Sequence, residues 1–487
     1  MRLVPRKFDL NAPSSSIKTA SIAQMGSKII NVIVQLVITM VLARLLTPAE
    51  YGTVAVLTAF AGIFSILADG GIAAAIVQSQ DLDEDDYRRL FFLSLLIGIV
   101  LTLGFCALSV GVAWFYGDAV YVPLGCLMSL GVLFNSLNMV PNGMLIKERK
   151  YNLIAVRLVV CTTVVGAVAI LLAFLGFGCY AIVMNTVLTS LFILLWNLAG
   201  TRLKMSAGDV RGVVRKVGSF SAFNLGSSLI GWFASNADSL IVGKLFGAEE
   251  LGYYNKAYNL YAYPLNILTT PITSTLLPFL APLQDDKDAL YCKFVSIFRR
   301  ISFLSALCTA WMNVCAVEVI TILYGEAWAS AIPLLTILSF AVYSRGINGP
   351  FAALLTAKGR SDLLMLSTGV NTAVTVLMIV LGGALGSVES LATCVAIAYN
   401  LEIIMPVLLC ARKCLDMGFW RFFSRLVPDT IAIVAVIALA SLVPWDIRNV
   451  FLSAIMKTIY VGGAMVGIRV ALGELLWHEG ISTILPR

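Results

Sequence analysis

Lys28, Asp69, Asp238, Lys256 and Arg345 are ionised side chains set inside long runs of apolar residues, where a charge needs a counter-charge, a wet cavity or a ligand. The chemistry they could perform is electrostatic capture rather than bond making. A cation in such a place can hold a phosphate, and an arginine can do so through two parallel hydrogen bonds. Uncharged polar residues accompany these charges at helical spacing. Gln24, Lys28, Asn31, Gln35 and Thr39 share one run; Asn224, Ser228, Ser235 and Asp238 a second; and Lys256, Asn259, Tyr263, Asn266 and Thr270 a third. A fourth run adds Thr58, Ser65 and Asp69. Small and polar side chains also join neighbouring membrane helices, a role that suits the Ser and Thr positions. Lys28, Asn31, Asp238 and Lys256 point instead to a wet cavity between two lobes.

Two of these sites carry alternatives. Asp238 and Lys256 each lie nine positions from Gly247, the centre of the turn between their runs. At ~1.5 Å per residue both sit about 13 Å deep. They can meet as an ion pair that neutralises itself, or Lys256 can face a substrate. Arg345 lies in YSRGINGP, where Gly346, Gly349 and Pro350 predict an interrupted helix. With no acidic residue in its own run, it reads either as an anion site or as a helix-packing contact.

Other reactive patterns are thin. Asp81, Asp83, Glu84, Asp85 and Asp86 could be the metal-binding carboxylates of a lipid-linked transferase, but a solvated turn and the acidic first turn of a helix explain them better. The ten cysteines are scattered without a CxxC, Cys410 and Cys414 read as packing residues, and the single histidine, His478, lies near the chain end. No metal-ligand, dinucleotide or phosphate-loop pattern occurs, and no cofactor is expected.

The elements that must position these residues follow from composition. With 59% hydrophobic residues, 13% charged and a mean hydropathy of +0.92, the chain reads as an all-α integral membrane protein. About fourteen runs are long enough to span a bilayer as helices. They lie near 22–43, 53–77, 90–115, 121–146, 154–175 and 178–198; 219–243, 257–282, 301–323, 329–355, 363–385 and 388–410; and 426–444 and 449–472. Most of the 34 basic residues fall on one side of this arrangement, which predicts that both termini are cytoplasmic. The net charge of +7 is thus a topology signal and a basis for contact with anionic lipid, not for nucleic-acid binding. The first twenty residues are polar and basic, so no cleavable signal peptide is expected. The loops are too short for a soluble catalytic domain.

A repeat ties the runs together. MVLARLLTPAEYG at 40–52 recurs in altered form within NADSLIVGKLFGAEELGYYNKAY at 236–258, with Arg44, Leu45, Glu50 and Gly52 answered 200 residues later by Lys244, Leu245, Glu250 and Gly252. Two pseudo-symmetric six-helix lobes in the same orientation are expected at 1–217 and 218–415, with a terminal hairpin at 416–487 outside the repeat.

Asp238, Gly243, Gly247, Gly252, Tyr253 and Ala257, then Pro264, Pro278, LQDD at 283–286 and YGEAW at 324–328, resemble the polysaccharide transporter family. ARLLTPAEYG at 43–52 and ADGGIAAAIVQ at 68–78 are similar to the same family, and the resemblance covers nearly the whole chain. It is nearest the lipid-linked oligosaccharide flippases, such as the colanic acid flippase, in the superfamily that also holds multidrug extrusion transporters. The resemblance implies a bacterial inner-membrane transporter that moves an undecaprenyl-diphosphate-linked oligosaccharide to the periplasmic leaflet by alternating access. It also implies a substrate cavity built by the first, second, seventh and eighth spans, and a polymerase and export machinery as partners. The candidate lining is Lys28, Asn31, Gln35, Asp69, Asn224, Asp238, Lys256, Asn259 and Arg345, the last matching an Arg that similar proteins carry before a Gly-x-x-Pro break. A cation-coupled drug exporter would call for a more acidic cavity. A glycan polymerase or ligase would call for a large outer loop or a buried histidine.

Overall fold

Apolar runs with no water to receive their N–H and C=O groups must close those bonds internally, and the chain is helical accordingly. The computed structural model describes residues 14–70, 72–79, 82–203, 205–206, 228–229, 231–233, 235–266, 276–284, 286–414, 419–423, 426–445, 447 and 449–471. Two compact units divide the chain: 1–46 with 53–233, and 47–52 with 234–487. The short stretch 47–52 therefore belongs with the second half.

The first unit holds α1 (Ser14–Leu45), most of α2 (Pro48–Asp69), α3 (Ile72–Gln78), α4 (Glu84–Tyr116), α5 (Tyr121–Lys147), α6 (Tyr151–Phe174) and α7 (Cys179–Thr201). The run expected as one span at 53–77 is two helices, because Gly70 takes a left-handed conformation at φ +49°. The acidic stretch is the start of α4. The Asp83 side chain accepts from the Asp86 N–H at 2.7 Å, the Asp86 carboxylate accepts from the Asp83 N–H at 3.4 Å, and Arg88 reaches back to Glu84 and Asp85. Small polar residues join α4 to α5, as where Ser136 donates to the Ser94 carbonyl at 2.7 Å.

The second unit holds α8 (235–246), α9 (Ala248–Pro264), α10 (Lys287–Val314), α11 (Ala316–Leu323), α12 (Ala331–Ala357), α13 (Ser361–Ala384), α14 (Val388–Leu401), α15 (Ile404–Leu409), α16 (Phe419–Phe423), α17 (Val427–Leu442) and α18 (Val450–Ala471). Phe294, Phe298, Phe351 and Phe422 form the aromatic centre of its core, with ring centroids 5.2 to 6.2 Å apart. Among the described residues ten helices are long and apolar enough to cross a membrane, and Ile30–Leu45 and Val427–Leu442 are shorter apolar helices. The expected runs at 219–243 and 257–282 lie partly outside the described residues.

One expectation needs correction here. The helix around Arg345 is not interrupted: α12 runs from Ala331 to Ala357 with Pro350 inside it, so the proline deletes one backbone bond without ending the helix. The run at 388–410 is a continuous membrane-length helix, Val388–Cys414, with a local turn at Glu402 and Ile403 between α14 and α15, four residues before Pro406. The expected terminal hairpin, α17 and α18, packs on α10 and α11. Arg469 of α18 pairs with Asp429 of α17 at 2.9 Å, Ser302 of α10 donates to the same carboxylate, and Lys457 of α18 pairs with Glu318 of α11 at 2.6 Å. All four ionised groups are buried, so these pairs bind α17 and α18 into the second unit.

The repeat residues Gly52 and Gly252 meet within this unit. A Cβ on Gly52 would overlap the Ala248 carbonyl, and one on Gly252 would overlap that of Pro48. Only glycine permits this backbone approach. Thr47 caps the first copy's turn by exchanging hydrogen bonds with Glu50. Its counterpart Gly247 serves the second copy with a φ of +92°.

Candidate functional site

The site is organised by the two faces of α9. Tyr254, Tyr258 and Tyr261, spaced i, i+4 and i+7, share one face. Tyr254 donates its hydroxyl to Asp238 of α8 at 2.7 Å, and the Ser239 N–H donates to the same carboxylate at 2.7 Å. Tyr258 and Tyr399 exchange a hydroxyl hydrogen bond at 3.2 Å, and the Tyr261 ring stacks on Tyr399 with centroids 6.3 Å apart. The guanidinium of Arg345 lies over the Tyr399 ring, 4.2 Å from its centroid. A ladder of tyrosines thus runs from Asp238 to Arg345.

Lys256 is on the other face of α9, because two residues turn a helix by about 200°. That rotation turns Lys256 away from Asp238, where Tyr254 takes the place the ion-pair alternative gave it. Its ammonium stands 3.5 Å from the centroid of Tyr51, 5.1 Å from Tyr324 and 5.6 Å from Trp328, and no described carboxylate pairs with it. Trp328 packs edge-on against Tyr51 and Tyr253, which closes the cage. Lys256 is 5% exposed and Asp238 2%.

Arg345 is different, since a third of its side chain remains exposed. It lines a cavity of about 420 Å³ whose polar walls include Asn266 and Tyr258 of the α9 region, Asn348 of α12, and Ser367 and Asn371 of α13. Within the second unit this is a concave, hydrogen-bonding space with a permanent positive charge on its wall. The guanidinium is not unpaired, contrary to expectation: Nη1 donates to the Glu402 carboxylate at 3.2 Å. The partner was invisible in its own run because it comes from the turn between α14 and α15. Glu402 is held in turn by the Thr375 hydroxyl at 2.9 Å, and its backbone carbonyl accepts from Asn371 at 3.0 Å.

The remaining expected residues are dispersed. Asn31 and Gln35 are on α1 and Asp69 ends α2, all in the first unit; Gln35 is exposed, Asp69 half-buried, and the Asn31 Oδ1 is buried without a hydrogen-bond partner among the described residues. Asn259 is exposed and donates to Asn255 at 2.6 Å. The Lys28 side chain and Asn224 lie outside the described residues. Arg157, within the run expected at 154–175, is buried in α6 and donates to Asn197 at 2.6 Å and Asn142 at 3.1 Å. The polar residues at 138, 142 and 197 were the available signal.

Against known proteins, residues 41–333 match the family model described as polysaccharide biosynthesis protein. The chain belongs to that family. This family member is 27% identical to the teichuronic acid biosynthesis protein TuaB of Bacillus subtilis (strain 168) over 301 residues, 61% of this chain and 62% of that one. The match thus spans less than two thirds of TuaB. It is 26% identical to the lipopolysaccharide biosynthesis protein WzxC of Escherichia coli (strain K12) over 359 residues, 70% of each chain. In fold it is similar to the lipid II flippase MurJ in an inward closed conformation, with a TM-score of 0.72 over 93% of this chain and 98% of that one at 12% identity. An inward-facing multidrug resistance MATE transporter of the MOP superfamily gives a TM-score of 0.61 over 82% of this chain and 95% of that one, at 18% identity. The family member is accordingly a multi-pass membrane protein with the MurJ and MATE fold.

Proposed function

We propose that the protein is a flippase, not an enzyme, which turns an undecaprenyl-diphosphate-linked oligosaccharide from the cytoplasmic to the periplasmic leaflet of a bacterial inner membrane for surface polysaccharide assembly. The observation that carries the reading is Arg345, a fixed cation on the wall of a polar cavity in a member of the polysaccharide biosynthesis family. The guanidinium takes the diphosphate, the amide and hydroxyl groups of the cavity take sugar hydroxyls, and the prenyl chain stays in lipid. Transport then needs only a change in the side to which the site opens, with both termini cytoplasmic and no covalent step. Polymerase and export proteins would receive the product.

The test is surface polymer, normalised to membrane-inserted protein, in a deletion strain carrying wild type, Arg345→Lys or Arg345→Ala. Lysine keeps the charge without the fork and should weaken export, whereas alanine should abolish it. Wild-type export by Arg345→Ala removes the assignment of Arg345. Unchanged polymer with raised drug sensitivity on deletion replaces the flippase by a drug exporter.

A further inference from the structure

The carboxylate of Glu402 is placed to compete with whatever anion Arg345 binds. Its Oε2 accepts from Nη1 at 3.2 Å, longer than the ~2.7–2.9 Å usual for a charged pair, and only one edge of the guanidinium is used in that contact. It cannot swing far. Thr375 of α13 holds Oε1 at 2.9 Å, and Asn371 of the same helix holds the backbone carbonyl at 3.0 Å. Glu402 is 8% exposed while Arg345 faces the cavity, so the carboxylate stands behind the guanidinium on the side away from an incoming ligand. Besides Arg345 and Thr375, the groups around the pair are the phenols of Tyr258, Tyr261 and Tyr399, none of which supplies a second fixed cation.

On the reading that Arg345 takes the diphosphate, we propose that Glu402 is a release residue: an internal anion that weakens the grip of Arg345 on the headgroup so that the lipid can leave. A cavity-wall guanidinium without it would bind a diphosphate tightly and hold it, and a transport site must bind weakly enough to empty. The turn at Glu402 fits this role. Pro406 leaves the Glu402 carbonyl without an N–H from its own helix, and Asn371 donates to it instead, which ties the backbone that carries the carboxylate to α13.

The experiment uses full-length protein in nanodiscs, with farnesyl diphosphate as probe and inorganic diphosphate as the arm that separates a lipid headgroup from free phosphate chemistry. Glu402→Gln should bind farnesyl diphosphate about tenfold more tightly than wild type while its export of polymer falls. Thr375→Val keeps both charges and nearly the same shape but withdraws the hydroxyl that shares the carboxylate's charge, so it should bind about threefold more weakly. A residue with only a structural role would not move affinity in opposite directions. Wild-type or weaker binding by Glu402→Gln overturns the proposal. If Glu402→Gln fails to insert, Thr375→Val decides alone: weaker binding upholds the proposal, and unchanged or tighter binding overturns it. Arg345→Ala separates the two readings. Its loss of binding beside unmoved Glu402→Gln and Thr375→Val rejects only the release role, whereas wild-type binding by Arg345→Ala rejects the diphosphate site itself.

Discussion

Lys256 and Arg345 are two cations of one unit, each buried mid-run by the sequence, and the structure treats them oppositely. Lys256 is sealed under Tyr51, Tyr324 and Trp328, with aromatic faces in place of a counter-ion. Arg345 has a carboxylate partner and yet opens onto a polar cavity. The difference teaches that lack of a counter-ion does not mark a ligand site. A cage of aromatic rings can surround a lysine ammonium where no carboxylate stands, whereas a paired cation with accessible donors still has something to offer a substrate.

Four substitutions can break or sharpen this contrast. The largest effect is expected at Arg345→Ala, with surface polymer per inserted protein down by about tenfold or more, since the cavity loses its fixed charge. Next comes Arg469→Met, which takes this cation from the buried Asp429 carboxylate and should cost about 3–5 kcal/mol, read as a lower thermal unfolding midpoint in detergent. Replacing both members, with Asp429→Leu added, should restore most of that loss. Tyr51→Leu removes the nearest face of the Lys256 cage and should cost ~1–2 kcal/mol in the same measurement without changing farnesyl diphosphate affinity. The smallest effect belongs to Lys256→Met, which should leave stability within about 0.5 kcal/mol and export near wild type, because an apolar chain of similar length fills the cage with no charge to desolvate. Loss of export with normal insertion in Lys256→Met would collapse the contrast and make Lys256 the substrate cation.

Much of this architecture was legible beforehand. Hydropathy located α5 to α7, α12 and α13 within a few residues, and the sequence DLDEDD announced the start of α4 through its capping box. What failed was local inference about charge and continuity. Depth counted from Gly247 put Asp238 and Lys256 at one level, but angle decided contact, and Tyr254 rather than Lys256 faces Asp238. Gly346, Gly349 and Pro350 advertised a break that α12 tolerates, whereas the irregularity at Glu402 stands four residues before Pro406, which has no N–H to give the Glu402 carbonyl. The partners of Glu402 are what the run could not report: Asn371, Thr375 and Arg345 come from two other helices.

The approach of Gly52 to Ala248 also has a consequence for how the protein is made. The segment 47–52 belongs to the second unit, yet the ribosome delivers it with the first, and its partner glycine follows 200 residues later. At ~5–20 residues per second that interval lasts roughly 10–40 s. Throughout it the turn after α1 and the ring of Tyr51 wait in the membrane without the α9 surface that will receive them. The first half of the newborn chain can therefore insert, but it cannot finish, before α9 has been translated.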